Sequence, residues 1–211
     1  MKVDEKIAEF IGFFIGDGFA GKYNRIRMIQ FTGHQTDERE YYENFLIPLV
    51  KDIFGKVTPH LTVRQRALRL TYYSKRIYEI LVNEWKLPTG KKSDRVKIPE
   101  FLLKNSKLIK SVVKGIFDAD GSVFWDKRKN YKKPYPRLTI QITSKELSNQ
   151  LYCLLKDLNF NPCRRESKGK KTYKNSSKSY FVELYGHSNF RKWVKEIYFS
   201  NSKHIKRLMP H

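Results

Sequence analysis

Two stretches of the chain are apolar almost all the way round a helix, AEFIGFFIGDGF at 8–19 and SVVKGIFDADGS at 111–122. Each carries one internal glycine and closes on Asp-Gly. Helices without a polar face must be buried on most sides, which suits a seam between two halves of a molecule. Beyond each, the pattern changes period. Residues 137–144 alternate Leu138, Ile140 and Ile142 with Arg137, Thr139, Gln141 and Thr143, a strand with one buried and one wet face. An amphipathic helix follows at about 37–54 or 145–158, then a second hairpin at about 57–74 or 163–185. A last helix spans about 75–85 or 188–199.

The same order therefore occurs twice, helix, two strands, helix, two strands, helix. Asp17 and Asp120 are separated by the same interval as Gly12 and Gly115, and as Gly18 and Gly121. The quartets Ile29-Gln30-Phe31-Thr32 and Ile140-Gln141-Ile142-Thr143 lie slightly further apart, which fits an insertion in the basic loop DKRKNYKKPYP. The chain reads as one unit duplicated, of α+β class. The expected division is a first half at 1–88, a linker at 89–106 that takes in most of LPTGKKSDRVKIPE at 87–100, a second half at 107–200, and a basic tail at 201–211.

Charge narrows the partners. Lysine and arginine number 43 against 21 acids over 211 residues, a net charge of +22 spread along the chain. Such an excess points to a polyanion. A solvated surface and an anionic membrane are the alternatives, but no isolated basic amphipathic helix supports the membrane. MKVDEKIAEF does not read as a signal peptide, so an intracellular location is expected. The longest apolar stretch is too short to span a bilayer. Cys153 and Cys163 make no zinc site, and Cys153 falls in the apolar series Leu151, Leu154, Leu155, Leu158, as a core residue would. Along the first copy's strands, His60, Thr62 and Arg64, and Arg69, Thr71 and Tyr73, form polar faces of cations and amides rather than acids. Such side chains read base edges and phosphates, although alternation alone does not separate that from a wetted face. Gln30, Arg64, Arg69, Arg137, Thr139 and Gln141 are the expected base-facing residues. Lys127, Arg128, Lys129, Lys132 and Lys133 are the expected phosphate contacts.

Glycine inside a helix costs about 1 kcal/mol relative to alanine, so two at equivalent places need a reason. Gly12 and Gly115 are expected to face each other where paired helices approach closely. Gly18 and Gly121 are expected to end those helices in a left-handed conformation. Asp17 and Asp120 then sit at the negative ends of two helix dipoles and near each other. With a phosphate added, only a cation relieves the site. A hard divalent ion with oxygen ligands does so, and Mg2+ is the default beside phosphate, with Mn2+ or Ca2+ able to replace it for binding.

These residues resemble the LAGLIDADG homing endonucleases of the single-chain, two-motif type. FIGFFIGDG at 10–18 and VKGIFDADG at 113–121 carry the motif, and TGHQTDEREYYENFLIPLV and KIPEFLL also look like this family. The resemblance implies two pseudo-symmetric αββαββα halves with paired motif helices at their interface and antiparallel sheets on double-stranded DNA. It implies one essential acid for each strand, Asp17 and Asp120, with the carbonyls of Gly16 and Ala119 as further metal ligands. Lys92 and Lys203 resemble the lysines near the attacking water. Ile15 departs from the motif, lacking the acid present as Asp118. Gly33 and Ser144 stand where some relatives carry glutamine.

The implied activity is a staggered, metal-dependent cut at a long asymmetric site by a monomer. An RNA maturase acting on intron RNA and a DNA-binding regulator on the same scaffold are the alternatives, and retention of both aspartates favours the enzyme.

Overall fold

In the computed structural model, residues 2–90, 92–128, 133–167 and 178–209 are described. Lys129 and Lys132, two of the expected phosphate contacts, lie outside them. The first half runs α1 (Glu5–Asp17), β1 (Gly18–Tyr23), β2 (Ile26–His34), α2 (39–54), β3 (His60–Arg64), β4 (Ala67–Tyr73) and α3 (75–84). The second runs α4 (Ser106–Asp120), β5 (Gly121–Asp126), β6 (Tyr135–Ile142), α5 (Lys145–Asp157), β7 (Pro162–Ser167), β8 (Ser179–Tyr185) and α6 (Gly186–Glu196), with a short α7 (Ser202–Ile205) behind it. Each half builds one four-stranded antiparallel sheet, ordered β1-β2-β4-β3 and β5-β6-β8-β7. The duplicated α+β order is therefore the observed one.

The two halves meet along α1 and α4. Asp4 caps α1 by accepting from the Ile7 amide at 2.9 Å, and Asn105 caps α4 from Lys107 at 2.8 Å. A methyl group on Gly12 would lie 2.2 Å from the Val112 carbonyl oxygen, and one on Gly115 would lie 2.1 Å from that of Glu9. Each glycine thus meets the opposite helix's backbone, and the absence of a side chain sets how closely the helices pack. On the first-half side, Phe10, Phe13 and Phe14 all pack on Phe31 of β2 at ring separations of 5.7 to 6.1 Å. On the second, Phe117 packs on Trp193 at 4.7 Å and on Phe199 at 5.4 Å.

Gly18 and Gly121 do not adopt the expected left-handed conformation. Their φ angles are −79° and −84°, extended backbone open to any residue. Space is what requires glycine there. An added methyl would stand 2.3 Å from the Phe14 ring at Gly18 and 2.3 Å from the Phe117 carbonyl at Gly121. The expected basic tail is not one in its first turn, because Asn201 and His204 are fully buried. The His204 ring lies 3.1 Å from the Phe117 carbonyl and packs on Phe117 and Phe199. Cys153, expected in the core, is exposed. Leu147, Leu151, Leu154 and Leu155 bury the other faces of α5.

The linker is pinned rather than slack. Gln150 on α5 bonds both backbone groups of Ile98, accepting from its amide at 2.8 Å and donating to its carbonyl at 3.1 Å. Ser144 caps α5 and also donates to the Val96 carbonyl at 2.7 Å. Val96, Ile98 and Leu102 are buried, so Lys92 is carried on an anchored strap.

Candidate metal centre and nucleic-acid interface

Asp17 and Asp120 are the last residues of α1 and α4, and the helix pairing delivers both to the same end of the seam. A methyl placed on Gly16 would come within 3.1 Å of Asp120 Oδ2, so the second half's carboxylate lies directly against the first half's motif. Burial pushes the Asp17 carboxyl up to about 8, helped by Asp120 and Glu38 and opposed by Lys203 and Lys92. Burial also raises Asp120, to about 6, with Lys92 and Lys203 opposing and Glu38 adding to it. Two acids forced together in partial burial, each held above its ordinary range, want a cation.

The two lysines take matching positions. Lys92 Nζ donates to the Gly16 carbonyl at 3.0 Å and to the Ile15 carbonyl. Lys203 Nζ donates to the Ala119 carbonyl at 3.1 Å. The carbonyl before each acid therefore already faces a cationic group. Two carboxylates and two carbonyls, all hard oxygen donors, fit a hard divalent ion. Among the described residues no cluster of three or more His, Cys, Asp and Glu side chains has metal-ligand geometry, so backbone oxygens, water or substrate phosphate would complete the shell.

Residues 108–198 match the model of the LAGLIDADG-like domain. The match covers most of the second half, which is similar to that domain. Over the whole chain, the fold matches the homing endonuclease I-DmoI in complex with DNA and Mn at a TM-score of 0.64 and 18% identity, covering 92% of this chain and 96% of that one. I-WcaI bound to its DNA recognition sequence matches at 0.62 and 16%, covering 100% and 89%. The fold is thus shared with these two homing endonucleases. Among curated proteins, the replication factor C small subunits of Methanocaldococcus jannaschii and Thermococcus kodakarensis are 28% and 29% identical over 207 residues. The chain spans only 10% and 21% of those proteins.

The LAGLIDADG-like half and its partner half differ around the acids. Lys92 is buried, its ammonium pushed down to about 8 by that burial against the pull of Asp120 and Asp17, and it lies 5.5 Å from the Phe14 ring centre. With Asp120, Gly16 and Gln141 it lines a cavity of about 410 Å³. Lys203 is instead paired at 2.8 Å with Glu38, a buried first-half acid that its place in the polar run TDERE does not single out. Asp118, the motif acid without a counterpart at Ile15, faces away from the cavity. Its carboxylate accepts the Ser200 and Asn201 amides at 3.0 and 3.1 Å, and burial raises it to about 7. The Tyr42 hydroxyl is buried without a hydrogen-bond partner, close to where a side chain on Gly33 would begin.

Register places the expected base-facing residues on the faces away from the core. Gln30 pairs with Thr71 and Thr71 with His60, while Thr32, Arg69 and Thr62 form the next row. Arg64 lies on the same face one row beyond, exposed at the edge. In the LAGLIDADG-like half, Arg137, Thr139 and Gln141 point away from buried Leu138, Ile140 and Ile142. That second face is not free of acids, as the pattern of the first had implied. Asp126 pairs with Arg137 at 2.5 Å and Arg128 at 2.7 Å, which holds its carboxyl below the ordinary range. Glu183 pairs with Arg165 at 2.8 Å, opposite Thr139. Lys127 and Lys133 are exposed near that face.

Proposed function

We propose that this chain is a site-specific double-stranded DNA endonuclease, making a staggered Mg2+-dependent cut at a long asymmetric site as a monomer. The observation that carries the reading is the meeting of Asp17 and Asp120, one from each half, beside the carbonyls of Gly16 and Ala119. A pure binding protein gains nothing from holding two carboxylates where burial opposes their ionisation. A bound divalent ion would supply Lewis acidity and offset charge at the phosphoryl oxygens.

The chain's own groups do the rest. Asp17 and Asp120 would hold the ion, shedding their protons to do so. Lys92 and Lys203 place one ammonium beside each half of the cluster, where each can order water or steady the charge of one strand. Gln30 and Gln141 face outward from corresponding strands, where an amide can make bidentate contact with adenine. Arg64, Arg69, Arg137, Lys127 and Lys133 offer guanine and phosphate contacts. The cations make binding steeply salt-dependent. RNA maturation and DNA binding without cleavage have no observation of comparable weight in their favour.

Digestion of a library of double-stranded sites with Mg2+, followed by sequencing of the ends, tests the reading. The expected result is staggered breaks at one long site, absent with chelator and absent in the Asp17→Asn, Asp120→Asn double variant. Selective binding with no cutting, or cutting that survives both controls, would overturn it.

A further inference from the structure

We propose that Glu38 is a positioning residue that holds Lys203 from across the seam and, through Lys203, controls cleavage of one strand only. The proposal rests on the endonuclease reading. Glu38 precedes α2 in the first half, yet the residue is only 6% exposed and its carboxylate bonds to the second. Oε2 accepts from the His34 amide at 2.8 Å, which fixes the side chain. Oε1 accepts from Lys203 Nζ at 2.8 Å and from Asn201 Nδ2 at 3.1 Å. The same Lys203 ammonium reaches the Ala119 carbonyl, so it is strung between an acid of one half and the motif backbone of the other.

Two neighbours make the arrangement specific. Asn201 donates Nδ2 to the Asp118 carbonyl at 3.0 Å as well, tying the strap that carries Lys203 to the base of α4. Gly33 clears the way, since a methyl there would stand 2.8 Å from Glu38 Oε2. At Ser144, the corresponding residue of the second half, the hydroxyl instead binds the linker carbonyl of Val96. Among the described residues Lys92 has no paired carboxylate and is held by the Ile15 and Gly16 carbonyls alone, so the duplicated fold ties one lysine to a carboxylate and the other only to backbone. A buried ion pair of this kind contributes little net stability, which leaves orientation as its plausible benefit.

A plasmid bearing the cleaved site, with each strand separately labelled, provides the test. Glu38→Gln should slow one strand about tenfold or more, leave the other unchanged and accumulate nicked circles. Lys203→Met should slow the same strand, and the double variant should be no slower than the slower single one. Glu38→Asp should recover part of the rate. Gly33→Ala, which presses on the carboxylate without removing it, should give a milder defect on the same strand and serves if Glu38→Gln does not fold. Equal slowing of both strands, multiplying effects in the double variant, or a full rate in Glu38→Gln would overturn the proposal. Failure of the unmodified protein to cut any site would instead sink the endonuclease reading beneath it.

Discussion

The Lys92 side and the Lys203 side of the acid cluster hold corresponding places in the two halves and solve the same problem differently. At both, an ammonium sits on the carbonyl before a motif aspartate. At the first, the lysine comes from the linker, is buried beside a cavity, and is held by backbone oxygens. At the second, it comes from the chain beyond α6, is paired with Glu38, and is braced by Asn201. The motif backbone preserves the position of the charge, while the side chains that tether it are free to diverge. What is duplicated is therefore the helix pairing, not the surrounding network.

The sharpest way to break that distinction is through the glycines, where the two halves should behave alike. Gly12→Ala and Gly115→Ala should each destabilise by about 3 kcal/mol from enforced helix separation, outweighing the roughly 1 kcal/mol gained in helix propensity. Chemical denaturation measures it. A gain in stability at either position would mean the close approach of α1 and α4 is not as described.

Smaller, and different between the halves, are the titrations. Asp17 has a folded pKa of about 8, above its unfolded value, so its contribution is fully present below about pH 4 and lost as pH rises through 8. Asp17→Asn should therefore match the parent near pH 4 and exceed it by about 2 kcal/mol at pH 9, allowing for solvent screening. Asp120→Asn should gain less and complete its gain by about pH 7. Lys92 has the opposite sign. Its folded pKa lies near 8, so its contribution is present above about 10.5 and lost as pH falls through 8. Lys92→Met should flatten the stability curve between those limits. Metal-free melts across pH check all three.

The smallest expected effect separates the sheets. Arg69 has no acid partner among the described residues, so Arg69→Gln should lower the salt slope of DNA binding by about 0.9. Arg137 is already matched by Asp126, and its replacement should change the slope by less. Equal changes would mean the Asp126 pair opens on DNA.

How much of this was legible beforehand follows from the range of the interactions. The motif helices, the repeat and the strand faces rest on local periodicity, and Gln30, Arg69, Arg137 and Gln141 fell on the faces expected of them. Asp17 and Asp120 were visible because the repeat marks both. Glu38 was not, because its partners lie far along the chain and its neighbours Asp37, Arg39 and Glu40 look like any exposed helix start. Asn201 and His204 sat in a run of basic residues, which masked a buried turn. Asp126 and Glu183 escaped notice because the strand faces were judged without their strands, β5 and β8, whose acids pair with Arg137 and Arg165. Gly18 and Gly121 were rightly marked for glycine but for the wrong cause, since crowding by Phe14 and by the Phe117 carbonyl is invisible in sequence.

Strand-resolved cutting by Asp17→Asn and Asp120→Asn, each alone and with Mg2+, tests the shared metal centre most directly. The account predicts at least a 100-fold loss in each, with any residual activity appearing as nicks on opposite strands in the two variants. Unimpaired double-strand cutting by either one would contradict it.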